Sequence, residues 1–316
     1  MKKILFATTA LVATAGVAAA EVTIGGSARF GLGYTEGAAE ETRVEQRMRV
    51  NITGIAETDA GVKFEARMRL EANEDANSAI SGRGPGAAGF AVSYGGFRLD
   101  VGNVSDVIDS GDVVDYYGYG IGLTSFLEQS SNGALSLTGF GAGSQDQTTI
   151  KIRYSVGDFT VAASYSDRVA VAAVAPSAGS VGNAAVTERQ QYQIGAGYNF
   201  GNYSIGAAFG SNDNAGVDDD FWAASFKGSV GAASFSVLAS DSDSQADVTV
   251  GASLNYDVTS ATAIRFVVSD GGAAGAETAY GLGFRHGLGG GVTLAGGVGQ
   301  NSADNTVADL GVSFSF

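Results

Sequence analysis

The stretch RVEQRMRVN, residues 43–51, alternates strictly between two kinds of side chain. One set of positions holds Arg43, Glu45, Arg47, Arg49 and Asn51, and the other holds Val44, Gln46, Met48 and Val50. Successive side chains of a β-strand point to opposite faces, so the pattern predicts a strand with one charged and one mostly apolar face. The stretch 62–71 places Lys63, Glu65, Arg67, Arg69 and Glu71 opposite Val62, Phe64, Ala66, Met68 and Leu70. Neighbouring strands thus concentrate basic charge on one face of a chain whose formal net charge is −15.

The first twenty residues have the layout of a signal peptide. Lys2 and Lys3 precede an apolar stretch, and the small residues 18–20 supply a cleavage site. We therefore expect cleavage after Ala20 and a mature chain, 21–316, that forms a single domain. Removing the two lysines takes the formal net charge from −15 to −17.

Sixteen alternating segments follow one another along the chain. They are 22–34, 42–56, 62–73, 87–94, 97–103, 148–156, 158–167, 189–199, 202–210, 219–229, 232–240, 246–257, 262–269, 277–287, 291–299 and 305–316. Most span about 9–11 residues, which is the length that a tilted strand needs to cross a bilayer. No apolar run long enough for a transmembrane helix follows residue 20.

The links between these segments alternate in length around the whole chain. Links after even-numbered segments are short, whereas most links after odd-numbered segments are longer, and 104–147 is the longest. This asymmetry is typical of an all-β, antiparallel, up-and-down transmembrane barrel with short periplasmic turns and longer external loops. A large soluble sandwich or solenoid would also alternate, but it would not explain the links. About sixteen strands enclose a water-filled lumen, which is where the charged face of 43–51 belongs.

The composition argues against an enzyme and against a structural metal. The chain has no cysteine and one histidine, His286, at a predicted turn, so it lacks a catalytic triad or zinc-ligand set. We expect no cofactor; Ca²⁺ at acidic loops such as 218–220 is the one alternative, and a solvated loop is the commoner interpretation. The 48 glycines give many inward positions small side chains, which favours open space over a plugged lumen.

The two ends of the mature chain carry a family resemblance. The start EVTIGGSARFGLGY, 21–34, and the end VADLGVSFSF, 307–316, resemble the general diffusion porins of alphaproteobacteria. The resemblance implies a homotrimeric, sixteen-stranded barrel in the outer membrane of a Gram-negative bacterium, with its third long loop folded into the lumen. Outward Phe314 and the terminal Phe316 resemble the assembly signal read by the barrel-insertion machinery.

The resemblance also implies a charged constriction between the loop 104–147 and the wall opposite it. It places wall residues at Arg29, Arg47 and Arg69, with Arg43, Arg49 and Arg67 as alternatives, and the strand alternation adds Lys63 to this inward basic set. The loop acids are Asp106, Asp109, Asp112, Asp115 and Glu128. We expect them to face the basic wall across a narrow neck, and Lys151 and Arg153 are candidates to extend that wall.

The resulting hypothesis is a pore for passive diffusion of small hydrophilic solutes and ions, with a weak preference for cations suggested by the overall acidity. The expected partners are outer-membrane lipid and lipopolysaccharide, further copies of the chain and the insertion machinery, and no nucleic acid. The alternative is an outer-membrane barrel with a plugged lumen that serves as a structural or adhesive surface protein.

Overall fold

The computed structural model describes residues 20–74, 80–125, 133–141, 147–170 and 187–316. The predicted signal peptide up to residue 19 and Glu128 therefore lie outside the described residues. None of the described residues forms a helix long and apolar enough to cross a membrane.

Seventeen strands in the described part of the chain form one antiparallel sheet. They are β1 (Glu21–Thr35), β2 (Thr42–Glu57), β3 (Lys63–Glu74), β4 (Ile80–Pro85), β5 (Gly89–Tyr94), β6 (Phe97–Gly102), β7 (Gln147–Val156), β8 (Phe159–Arg168), β9 (Arg189–Phe200), β10 (Tyr203–Asn214), β11 (Asp218–Val230), β12 (Ala233–Ser242), β13 (Asp247–Asp257), β14 (Thr262–Gly272), β15 (Ala279–Gly289), β16 (Val292–Gln300) and β17 (Thr306–Ser315). Each strand pairs with its neighbours in sequence, except that β4 and β5 both pair with β3, and β1 pairs with both β2 and β17. The sheet is therefore closed, and the predicted barrel is confirmed.

The barrel has sixteen strand positions because β4 and β5 share one of them. Both pair with β3, and the β3–β4 register shifts between Leu70 and Ala72. Pro85 ends β4, where it cannot donate a ladder hydrogen bond. The predicted fourth segment, 87–94, corresponds to β5, and β4 is an addition that the residue pattern did not reveal.

The outer face of the sheet is apolar and the inner face is polar, which is the reverse of the arrangement in a soluble protein. Large apolar side chains of the outer face are exposed, for example Ile194 at 64%, Phe209 at 62% and Leu282 at 55%. Polar side chains of the inner face are buried, for example Gln193 and Thr249. An apolar exterior around a polar interior suits a barrel whose surroundings are hydrocarbon.

The carboxy-terminal strand closes the barrel against the first strand. The backbone N–H of Gly26 donates to the carbonyl of Phe316 at 2.8 Å, and the register continues through Phe314, opposite Ala28. Phe316 is 55% exposed, and its ring lies 6.2 Å from that of Phe314. The assembly role of these two rings stays a prediction.

Candidate pore constriction

The described residues between β6 and β7 lie inside the barrel and follow its inner wall. We call residues 103–125 the first arm of this inner loop and residues 133–141 its return arm. Backbone N–H groups of the first arm donate to inner-face side chains: Val107 to Ser164 at 3.3 Å, Ile108 to Gln193 at 3.0 Å, Asp115 to Ser225 at 2.8 Å, Tyr119 to Ser253 at 2.8 Å and Leu123 to Asp309 at 2.7 Å. These acceptors lie in chain order on β8, β9, β11, β13 and β17, so the first arm spans more than half of the barrel wall.

Apolar packing holds the first arm to the wall as well. Val107, Ile108 and Val114 are completely buried, in a cluster with Ala208 and Leu238 of the inner face. Further along, Ile121 packs in a second cluster with the wall residues Val267, Ala279 and Val307. Burying several aliphatic side chains at roughly 1.5–3 kcal/mol each makes the arm part of the barrel's core.

Inward glycines of the wall leave room for this arm. A β-carbon at Gly297 would lie 2.9 Å from the backbone nitrogen of Gly122, and one at Gly197 would lie 2.9 Å from the carbonyl oxygen of Val113. A β-carbon at Gly206 would overlap that same carbonyl. The expectation that small inward residues mark open space is therefore wrong at these positions, because the loop backbone occupies the space.

Asp106 lies inside the loop instead of facing the lumen. Its side chain is completely buried, and its carboxylate accepts hydrogen bonds from the backbone N–H groups of Asp109 at 2.8 Å and Thr138 at 2.6 Å. Burial raises the pKa of Asp106 to about 6, although these two hydrogen bonds oppose the rise. Asp106 thereby ties the first arm to the return arm.

Asp112 binds the wall on the loop's own side. Its carboxylate accepts from Lys151 Nζ at 2.8 Å and from Arg153 Nη1 at 2.6 Å. Burial alone would raise the pKa of Asp112, but the charges and hydrogen bonds of these two cations outweigh it and hold the pKa below its usual range. Lys151 and Arg153, expected as an extension of the basic wall, therefore anchor the loop.

Asp115 and Asp109 have different surroundings. Asp115 accepts from the hydroxyl of Ser236 at 2.9 Å and lies 4.0 Å from Lys227 Nζ. Asp109 accepts from the hydroxyl of Tyr117 at 2.8 Å and is half-buried. All four described acids are thus bound within the loop or to its supporting wall, so the expectation that they face the opposite arginines needs correction.

Arginine side chains gather on the inner face of β1 and β2, beyond the end of the first arm. Arg29 and Arg47 stand directly opposite each other in the β1–β2 ladder. Among the described residues, the buried Nε of Arg29 has no hydrogen-bond partner. Two like charges opposed in this way destabilise a sheet. This cost to folding makes the pair a candidate functional feature.

Two further arginines of this wall form ion pairs with acidic residues. Arg43 Nε donates to Glu45 at 2.8 Å, and Arg49 Nε donates to Glu71 at 2.7 Å. Lys63 belongs to the same inner face but lies at the start of β3, beside the turn that joins β2 to β3. It is therefore separated from the Arg29–Arg47 pair along the barrel axis.

Arg67 and Arg69 hold the return arm. Their guanidinium carbons lie 4.0 Å and 4.6 Å from the ring centroid of Phe140, and Arg69 Nη1 donates to the Phe140 carbonyl at 3.1 Å. Cation–π contacts of this kind are worth about 0.5–2 kcal/mol each. These two arginines therefore lie on the inner wall and also hold the return arm in position.

Residue patterns did not predict four further wall residues that bind the loop. Asp309 accepts from the backbone of Leu123 and Thr124, while Arg189, Arg265 and Arg285 donate to backbone carbonyls of Ser136, Gly120 and Gly122. All four have inward parity on their strands, which could have marked them as lumen residues. Their loop partners could not be identified, since each contact joins residues more than fifty positions apart.

The fold and this site define a class of protein: a transmembrane β-barrel whose lumen is polar and holds a loop. Comparison with known proteins agrees, since a family model described as Gram-negative porin matches residues 7–306. A porin of Fuscovulum blasticum is 34% identical over 307 residues, which cover 94% of this chain and 100% of that one. A porin of Rhodobacter capsulatus is 28% identical over 332 residues, with the same two coverages.

Solved structures give the same result. A triple mutant of the Rhodopseudomonas blastica porin has a TM-score of 0.74 and 30% identity, covering 94% of this chain and 100% of that chain. The chain belongs to the Gram-negative porin family and forms a channel in the outer membrane.

No group of three or more acidic or histidine side chains within the described residues could hold a metal ion. In the acidic stretch 218–220, Asp219 accepts from the backbone and hydroxyl of Ser244. The stretch predicted as an acidic loop is therefore the start of β11, and these contacts join it to the loop between β12 and β13.

Proposed function

We propose that this porin passes small hydrophilic solutes and ions by passive diffusion through a neck between the inner loop and the arginines of β1 and β2. The observation that carries the proposal is the Arg29–Arg47 pair, directly opposed on the inner face. Such a pair opposes folding. A pair that destabilises the sheet is expected at a functional site. Here both guanidinium groups would face water and act on passing solutes.

The arrangement of the inner loop supports an open passage. Its first arm is fixed to the wall from β8 to β17 by hydrogen bonds and apolar packing. Its return arm is fixed to β3 through Arg69. A loop held against the wall at both arms narrows the lumen and leaves a path beside the arginines.

The charge distribution supports a weak preference for cations, which the positive charge in the neck partly opposes. Overall acidity favours cations at the mouth of the channel, where the outer end of β11 contributes Asp218 and Asp220. Arg29 and Arg47 act in the opposite direction at the narrow part. Positive charge on one wall also orients dipolar and zwitterionic solutes, whereas apolar solutes must displace ordered water.

We also propose a homotrimer embedded in lipid and lipopolysaccharide, as in the porins that the chain resembles. The apolar outer face supports contact with lipid or with a second barrel. The mass of the detergent-solubilised protein, measured by light scattering, tests this: a mass equal to one chain would contradict the trimer.

A planar bilayer experiment tests the diffusion pore. Purified protein added to a bilayer in potassium chloride should produce discrete current steps whose conductance rises in proportion to that of the bulk solution. Liposomes carrying the protein should admit small neutral sugars faster than larger ones. A plugged structural or adhesive barrel would give neither steps nor sugar entry, and that result would overturn the proposal.

A further inference from the structure

Asp309 is the point at which the far end of the first arm meets the wall. Its Oδ1 accepts from the backbone N–H of Leu123 at 2.7 Å. Its Oδ2 accepts from both the backbone N–H and the hydroxyl of Thr124 at 2.8 Å. Hydrogen bonds to a carboxylate are stronger than those between neutral groups, and here three of them converge on one side chain that is only 7% exposed.

The wall around Asp309 is shaped to receive these residues. Gly31 and Gly311 are paired across the β1–β17 ladder, and β-carbons there would lie 2.8 Å and 2.5 Å from Leu123 Cδ2. Immediately before this point, Ile121 is completely buried in its own apolar cluster. The end of the arm thus lies in a groove that a larger side chain in place of Gly31 or Gly311 would fill.

The position of this groove connects it to the neck. Asp309 is paired with Gly33 of β1, the strand that carries Arg29. Arg29 lies on the same inner face of β1, four residues from Gly33. The end of the arm is therefore fixed at the boundary between the wall that the loop covers and the wall that carries the arginines.

On these contacts, and building on the proposed diffusion pore, we propose that Asp309 is a positioning residue that sets the width of the neck. It holds Leu123 and Thr124 against the wall. Because the wall lies directly behind these residues, an arm released from Asp309 can move only toward the lumen. Asp309→Ala should therefore narrow the channel, although the substituted side chain itself becomes smaller.

Single-channel conductance in 1 M potassium chloride tests this, because at that concentration the screening length is about 3 Å and current mainly reports geometry. We expect Asp309→Ala to lose conductance and to gain open-channel noise and closures relative to the wild type. The matched control is Asp100→Asn, which changes another buried inner-face carboxylate, one bound to Arg98 of its own strand. It should conduct as the wild type does.

A reversible crosslink between the loop and the wall provides a second test. The chain has no cysteine, so Thr124→Cys with Asp309→Cys introduces a single possible disulfide at the same contact. Oxidised channels should conduct as the wild type does, and reduction in the bilayer should reproduce the loss seen with Asp309→Ala. Equal conductance in both redox states, or an Asp309→Ala channel identical to the wild type, would overturn the role of Asp309. A wild type that does not conduct would overturn the proposed function, and this inference with it.

Discussion

Replacing Arg47 with glutamate is expected to shift the channel's ion preference strongly toward cations at low salt. The substitution removes one positive charge and adds a negative one directly opposite Arg29. Two unit charges about 4 Å apart interact by roughly 1 kcal/mol in water and about 4 kcal/mol near a protein surface. A change of two charge units in the neck therefore changes the free energies of passing anions and cations. The change is large enough to be measured as a shift in reversal potential.

The salt dependence makes this prediction specific. The screening length is about 10 Å at 0.1 M and about 3 Å at 1 M, so the shift should be large in dilute salt and shrink in concentrated salt. Reversal potentials under a potassium chloride gradient measure it.

Lys63→Glu is the matched control. It makes the same change of charge on the same inner face, but Lys63 lies ten residues along β3 from Asn73, the partner of Arg47. This separation is roughly 33 Å along the strand. A shift in Lys63→Glu as large as that in Arg47→Glu would mean that the arginine pair does not control the neck.

Replacing Gly206 with alanine is expected to have the second large effect. The added β-carbon would overlap the carbonyl oxygen of Val113, so the first arm must move off the wall and into the lumen. Conductance should fall at all salt concentrations, because the obstruction is steric. This independence of salt separates it from the effect of Arg47→Glu.

Gly25→Ala controls for the loss of an inward glycine. Gly25 belongs to the inner face of β1 at the end away from the loop, and a β-carbon there would meet only a carbonyl oxygen 3.7 Å away. It should leave conductance unchanged. Normal conductance in Gly206→Ala, with the protein folded, would show that the loop does not limit the current.

Local periodicity was enough to predict the barrel and its faces. The alternation of Arg47 and Met48 is visible within a few residues, because side chains of a strand alternate whatever the strand pairs with. Met48 is 49% exposed on the outer face, whereas Glu45 and Glu71 of the charged set are buried. Turn lengths then gave the order of the strands. The division between β4 and β5 was missed because it depends on a register shift against β3.

The arrangement inside the barrel could not be predicted in the same way, because it depends on contacts between distant residues. The sequence of the loop shows that Asp112 is acidic, but not that Lys151 and Arg153 bind it. An inward glycine such as Gly206 suggests open space beside the wall. Only the position of the Val113 carbonyl shows that the loop occupies that space. Asp309 is 186 positions away from its partner Leu123.

Accessibility of an introduced cysteine tests most directly whether the charged face of 43–51 lines a water-filled channel. The chain has no native cysteine, so Arg47→Cys and Met48→Cys each supply one thiol on neighbouring residues of opposite faces. A charged, membrane-impermeant thiol reagent applied to channels in a bilayer should block current stepwise in Arg47→Cys and leave Met48→Cys unmodified. Block of Met48→Cys with an unreactive Arg47→Cys would show that the faces are inverted and would contradict the account of the pore.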